Sequence, residues 1–127
     1  LTDICGIIPV ERGRMSSEVL KCCKKQLDEK WGLLIYPEGT RSHDGKLGKL
    51  KLGAATIATA AKVPIIPAYI KGAHEIFPRG QKMPNLFNWH KMRRYEVEVV
   101  YGEPILPQNY TPEELTALVE QSLIKLS

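Results

Sequence analysis

LLIYPEGTRS, residues 33–42, decides how the rest of the chain is read. Leu33, Leu34, Ile35 and Tyr36 are a short continuous apolar run, the pattern of a strand buried on both faces. Pro37 and Gly39 then break the run. Glu38 and Arg41 place an acid and a base within four residues. Gly39 lets the backbone turn tightly between them. Arg41 can fork onto a phosphate, and backbone N–H groups beside a glycine can approach the same anion. Glu38 can accept a hydrogen bond from a ligand hydroxyl or orient Arg41, while Thr40 and Ser42 add hydroxyls. A solvated turn closed by an internal Glu38–Arg41 pair is the plainer reading of the same residues.

Working outward, residues 4–10 (ICGIIPV) are apolar and read as a short buried strand. Ser16 and Ser17 offer helix caps, and Leu20, Cys23, Leu27 and Trp31 recur at helical spacing. An amphipathic helix over 17–30, stopped by Gly32, is expected. Residues 37–49 read as loop. Residues 50–61 (LKLGAATIATAA) are rich in small side chains and predict a helix lying close against a sheet. Residues 63–70 (VPIIPAYI) read as another buried strand, with Pro67 marking an edge or a strand end because it cannot donate to a ladder. Residues 72–94 look irregular, and 95–101 (YEVEVVY) alternate as a strand with one wet face. Thr111, Pro112 and Glu114 announce a capped helix whose buried face carries Leu115, Leu118, Val119 and Leu126. Alternating strands and helices imply one α/β domain, a mostly parallel sheet flanked by helices. In such sheets ligands sit beyond the carboxyl ends of the strands, here the loops after Val10 and Tyr36. The loop after Val10 holds Glu11, Arg12 and Gly13. Two acid–base loops on neighbouring strands can form one anion pocket, with Arg12 and Arg41 converging.

These residues carry a resemblance. Tyr36-Pro37-Glu38-Gly39-Thr40-Arg41-Ser42 resembles the FPEGTRS block of the glycerolipid acyltransferase family, which includes the lysophosphatidate acyltransferases. In the family's order, residues 6–12 (GIIPVER) resemble its second block, and 50–54 (LKLGA) resemble its Phe-Lys-x-Gly-Ala stretch. Residues 63–68 (VPIIPA) resemble its fourth block, which accounts for Pro67, and 101–105 (YGEPI) resemble the strand and turn that close the domain. The resemblance covers nearly the whole chain. It implies transfer of a fatty acyl group from acyl-CoA or acyl carrier protein to a glycerophosphate or lysophospholipid hydroxyl, with 1-acyl-glycerol-3-phosphate as the expected acceptor. It further implies phospholipid biosynthesis on the cytoplasmic face of a membrane. By the same resemblance Arg12, Glu38, Gly39, Thr40 and Arg41 bind the acceptor, with Glu11, Ser42 and Lys51 as secondary candidates.

The family's general base is a His-x4-Asp block preceding the second block. No such spacing occurs here: five residues after His43, His74 and His90 stand Gly48, Arg79 and Tyr95. The chain starts at Leu1, in the approach to a strand, and residues 1–127 are expected to be an acyltransferase domain missing an N-terminal part that carries the block. A phosphate or lipid-head-group binding module without a base is the alternative. Two departures, Glu11 where Asp is commoner and Leu50 and Leu52 where Phe is commoner, bear on the acceptor and not on the family.

The remaining features are consistent with this reading. Eighteen Lys and Arg against 14 acids give a net charge of +4, which suits a phosphorylated ligand or anionic surface, and no nucleic-acid recognition motif accompanies it. Three cysteines, Cys5, Cys22 and Cys23, without a CxxC, argue against a disulfide scaffold or a zinc site. Cys22 and Cys23 read as core and near-core packing, and His43, His74 and His90 as surface or turn residues. Phe87 and Trp89, followed by Arg93 and Arg94, could touch a membrane interface or form a loop with buried aromatics. No run is long and apolar enough to span a bilayer. No metal or prosthetic group is expected; the acyl thioester is a co-substrate.

Overall fold

The structure, a computed structural model, describes residues 6–8, 10, 15–85, 87–88 and 92–127. Of the expected buried strand over 4–10, residues 6–8 and 10 are described, and they form no strand: Gly6 takes a left-handed φ of 63°, and Ile7 and Val10 are exposed because no neighbouring strand among the described residues covers them. Glu11 and Arg12 lie outside the described residues.

The first helix, α1 (Ser17–Asp28), begins where the sequence says it should: Ser16 caps it, its hydroxyl accepting from the Val19 N–H at 3.2 Å. Its end differs from expectation. The helix stops at Asp28, and Lys30 takes a left-handed φ of 69°. Gly32 is thus not the terminator, and Trp31 lies beyond the helix and is 66% exposed. Cys23 is buried on the inner face, but its neighbour Cys22 is exposed, since adjacent helical positions point about 100° apart. Burial, and next to it the Cys22 thiol, push the Cys23 thiol above its ordinary pKa, so it stays protonated and packs as a small apolar group.

Residues 33–36 hold the largest departure. They form no ladder among the described residues, and Leu34 is 80% exposed. The doubly buried strand that their composition predicts needs a neighbour on each side, and the described residues supply none. After the loop at 37–51 comes α2 (Gly53–Ala61), whose alanines let it touch both α1 and α4 (Pro112–Leu126). It is shorter than expected: residues 50–52 lead into it.

The principal sheet is a two-stranded pair. Strand β1 (Ala68–Lys71) runs antiparallel to β4 (Glu98–Tyr101), with Ala68 opposite Tyr101. The segment between them is less irregular than the sequence suggests. It contains a one-turn helix, α3 (Ala73–Ile76), and a second antiparallel pair, β2 (Phe87–Asn88) with β3 (Arg93–Arg94). Parallel pairing is not seen among the described residues. The segment 65–71 takes its partner from the chain's return through 98–105, not from a crossover neighbour.

Ile65 and Ile105 extend the β1–β4 ladder. Each donates its N–H to the other's carbonyl, at 2.9 and 2.8 Å. Between this bridge and the Ala68–Tyr101 pair, three steps in one strand face four in the other, so the returning strand bulges. Pro67 sits in that offset, buried, with its carbonyl accepting from the Gly102 N–H at 2.8 Å. A proline is tolerated there because only its acceptor is used. Gly102 is required for closeness. A Cβ on it would stand 2.8 Å from Ser122 Oγ of α4.

Helix α4 closes the core. Thr111 Oγ1 accepts from the Glu114 N–H at 3.2 Å, and the Glu114 carboxylate accepts from the Thr111 N–H at 2.8 Å, the reciprocal capping box expected from the sequence. Its buried face is Leu115, Val119 and Leu123; Leu118 and Leu126 are half-buried. Leu115 packs with Ala55 and Ala58 of α2, and Val119 and Leu123 pack with Leu50. Ile65 and Ile105 lie against both groups and join them into one core.

Leu115 is fully buried. Leu115→Ala is expected to destabilise the fold by about 2–5 kcal/mol, read as a lowered urea midpoint with unchanged slope.

Candidate functional site

The loop at 37–51 is clamped at its neck. Tyr36 to Gly39 make a tight turn in which the Gly39 N–H donates to the Tyr36 carbonyl at 3.0 Å. Pro37 presets the turn, and Gly39 leaves it at a φ of 69°. The Lys51 N–H then donates to the Pro37 carbonyl at 2.9 Å, bringing the two ends of the loop together. Next to this bond, the Glu38 carboxylate accepts from the Gly48 N–H at 2.8 Å. Leu50, buried between Val119 and Leu123, anchors the closing arm in the core. At the loop's tip, Asp44 accepts from the Lys46 N–H at 3.1 Å, which holds its carboxyl below the ordinary carboxylate range.

Glu38 is therefore a structural acceptor in this loop. It forms no ion pair with Arg41; the ion pairs among the described residues are Lys24–Asp28 and Lys25–Glu29, both on or next to α1. The closed Glu38–Arg41 turn is replaced by a division of labour. The acid ties the loop's neck and the base points away from it.

Arg41 reaches a second loop. Its Nη1 donates to the Pro78 carbonyl at 3.3 Å and, more weakly, to the Phe77 carbonyl at 3.5 Å. Its guanidinium carbon lies 4.3 Å from the centroid of the Phe77 ring, within the range of a cation–π contact. Two further contacts join the loops. Arg79 meets His43 through Nη1 and Nε2, and the ring of His74 lies against Gly45. A guanidinium can only donate, so in this contact His43 Nε2 is the acceptor. His90 lies outside the described residues.

Lys51 completes the site from the closing arm. Its ammonium rests against the Gly39 backbone, where a Cβ on Gly39 would stand 2.7 Å from Lys51 Nζ. Glycine at 39 thus serves both the left-handed turn and the approach of the amine. Thr40 is exposed and Ser42 half-buried on the same loop. Arg41 and Lys51 consequently share one clamped loop, and neither is paired with a carboxylate among the described residues. No group of His, Cys, Asp and Glu among the described residues is arranged to hold a metal ion.

Sequence reasoning singled out Glu38, Gly39, Thr40, Arg41 and Lys51, and these do share the loop. It did not single out Phe77, Pro78 or Arg79. They stand about 36 residues further on, at the contact separations the hydrogen bonds show. No local pattern links the two stretches; only the chain's route places them together. The convergence of Arg12 with Arg41 rests on residues outside those described.

Comparison with known proteins agrees with this loop. The family model described as Acyltransferase matches residues 1–71, more than half of the chain, and the match includes the whole of the clamped loop. The chain belongs to the acyltransferase family. It is similar to the 1-acyl-sn-glycerol-3-phosphate acyltransferase BAT2 of Brassica napus, 35% identical over 99 residues, covering 76% of this chain and 28% of that protein. It is also similar to 1-acyl-sn-glycerol-3-phosphate acyltransferase alpha of Mus musculus, 28% identical over 123 residues, covering 92% of this chain and 40% of that protein. Among solved structures it resembles the 1-acyl-sn-glycerophosphate acyltransferase PlsC of Thermotoga maritima. The TM-score is 0.69 at 27% identity, over 84% of this chain and 42% of that one. The acyltransferase chain thus spans less than half the length of these relatives. The second loop, with Phe77 and Arg79, lies past the residues that the family model matches.

In this member of the acyltransferase family the Glu38 clamp is open to direct test. Glu38→Ala is expected to cost about 1 kcal/mol and to expose the Gly48 amide to rapid hydrogen exchange, while Glu38→Gln keeps most of the protection. Equal exchange at Gly48 in all three proteins would show that the clamp does not hold.

Proposed function

We propose that the protein of which this chain forms part transfers a fatty acyl group from acyl-CoA or acyl carrier protein to the hydroxyl of a glycerophosphate or lysophospholipid, with 1-acyl-glycerol-3-phosphate as acceptor. The observation that carries this is the clamped loop with two cations, Arg41 and Lys51, and no carboxylate paired to either among the described residues. A held guanidinium and an ammonium on one clamped loop with a glycine turn suit a phosphate monoester. The names of the relatives, 1-acyl-sn-glycerol-3-phosphate acyltransferases, supply the rest of the acceptor.

In this reading the loop contributes binding and orientation. The phosphate sits on Arg41 and Lys51, which fixes the glycerol hydroxyl relative to the thioester. The hydroxyl oxygen attacks the thioester carbonyl, a C–O bond forms, and the C–S bond breaks. The hydroxyl proton passes to a general base and then to the departing thiolate. Holding both reactants in register is itself a large part of such a rate enhancement. Neither His43 nor His74 has an Asp at the family's spacing, and His43 Nε2 is engaged by Arg79. The general base, a His oriented by an Asp, is therefore assigned to residues of the longer protein outside this chain.

The second block, with Arg12 and Glu11, is assigned to the same acceptor pocket. Residues 33–36 are assigned to a mostly parallel sheet in the whole protein. Their exposed apolar side chains, Leu34 above all, support that placement. No helix among the described residues is long and apolar enough to cross a membrane. Association with the cytoplasmic face of a membrane is part of the proposal because the acceptor is a lipid.

Arg41→Ala in the full-length protein is expected to raise the KM for lysophosphatidate roughly ten- to hundredfold, the loss of a charge-assisted contact, with little change in the KM for the acyl donor. An unchanged acceptor KM would remove Arg41 from the phosphate site. Residues 1–127 alone are expected to show no acyl transfer in a radiolabelled acyl-CoA assay; measurable turnover would mean that a base lies within this chain.

A further inference from the structure

Among the described residues, Arg41 is the proposed phosphate ligand whose side chain is held by another part of the fold, and the manner of holding assigns a role to Phe77. A guanidinium is a planar fork with five N–H donors. Here Nη1 is directed at two backbone carbonyls, those of Phe77 and Pro78, and the guanidinium carbon lies over the Phe77 ring, 4.3 Å from its centroid. Nη1 is thereby engaged, and the guanidinium carbon sits over an aromatic ring. The Nε–Nη2 edge has no partner among the described residues, and that edge is the one that takes two oxygens of a phosphate side by side.

We propose that Phe77 is a positioning residue for the acceptor phosphate: its ring and the adjacent carbonyls hold Arg41 with the Nε–Nη2 edge turned out as a preset fork. The inference rests on the reading of Arg41 as a phosphate ligand and adds a residue that never touches substrate. Long exposed arginine side chains lose rotamer freedom when they bind, and a platform that fixes the rotamer beforehand removes that cost from the binding step.

The platform does not depend on the ring for its own shape. The Phe77 N–H donates to the Ala73 carbonyl at 2.9 Å as α3 ends. The loop beyond is closed by Asn85, whose backbone N–H donates to the Ile76 carbonyl at 2.7 Å and whose side-chain amide donates to the Glu75 carbonyl at 3.4 Å. Main-chain bonds therefore set the place of residue 77, and its half-exposed ring is left to act on Arg41. A substitution at 77 removes the face contact while leaving the carbonyls where they are.

The test is steady-state kinetics on the full-length enzyme, with lysophosphatidate varied at saturating acyl-CoA. Phe77→Leu keeps apolar bulk and removes the aromatic face. It is expected to raise the lysophosphatidate KM roughly two- to fivefold, the worth of an exposed cation–π contact, with kcat and the acyl-CoA KM unchanged. Phe77→Tyr and Phe77→Trp, which keep a π-face, are expected to restore the KM. In an Arg41→Ala background, Phe77→Leu is expected to add nothing further. With monoacylglycerol, which has no phosphate, as acceptor, the variant and the parent are expected to match. A normal KM in Phe77→Leu alongside a raised KM in Arg41→Ala overturns the role of Phe77 alone. A normal KM in Arg41→Ala overturns the phosphate reading itself. Additive effects of Phe77→Leu and Arg41→Ala, or failure of both aromatic replacements to rescue, would mark Phe77 as a packing residue and overturn the proposal.

Discussion

Everything the site does follows from how the chain is brought back to Pro37. The Lys51 N–H to Pro37 carbonyl bond, 2.9 Å long, joins residues 14 apart, and Leu50 beside it is buried in the core. A loop of this length left open would sample many shapes. Closed at its neck and anchored through Leu50, it becomes a fixed frame. The Glu38–Gly48 bond then narrows the frame, and the Lys51 ammonium settles over Gly39 because the neck has put it there. A one-residue displacement of Leu50 from the core would take the lysine, the neck bond and the glutamate clamp with it.

The core that receives Leu50 is small and hinges on Ile65 and Ile105. These two residues exchange both backbone hydrogen bonds and pack against both clusters of buried side chains. Helix α4 covers them with Leu115, Val119 and Leu123, and Gly102 lets that helix come close. The same β1–β4 pairing sets the direction in which the chain leaves β1 for α3, and so where Phe77 and Arg79 stand. The clamped loop and the loop that meets it are thus two consequences of one core. The contacts between them, at Arg41, His43 and Gly45, link residues that the sequence keeps far apart.

Much of this was legible in advance, and the reasons differ from element to element. The capping box at Thr111 and Glu114 and the Ser16 cap are local: their partners are three residues away, so the residue types suffice. Pro67 at a strand end was legible for the same reason, since a missing N–H excludes a ladder position whatever surrounds it. The run at 33–36 is a different case. Composition says that these side chains suit a sheet interior, but burial depends on neighbours, and Leu34 is 80% exposed. The supposed Glu38–Arg41 pair does not form. Proximity in sequence favoured it, and competition from the Gly48 N–H and from the Phe77 ring decided otherwise.

The amino-acid sequence by itself determined the helix caps, the turn at residues 36–39, the identity of the chemically capable side chains and, through the order of its blocks, membership in the acyltransferase family. The tertiary structure alone decided what those side chains face. It turned Glu38 inward as a clamp, laid Lys51 over Gly39 and set Arg41 on Phe77. The physical reason is range. Caps and turns are settled by hydrogen bonds over three or four residues, whereas the direction of a long charged side chain is settled by whichever distant backbone or ring the packed core delivers to it.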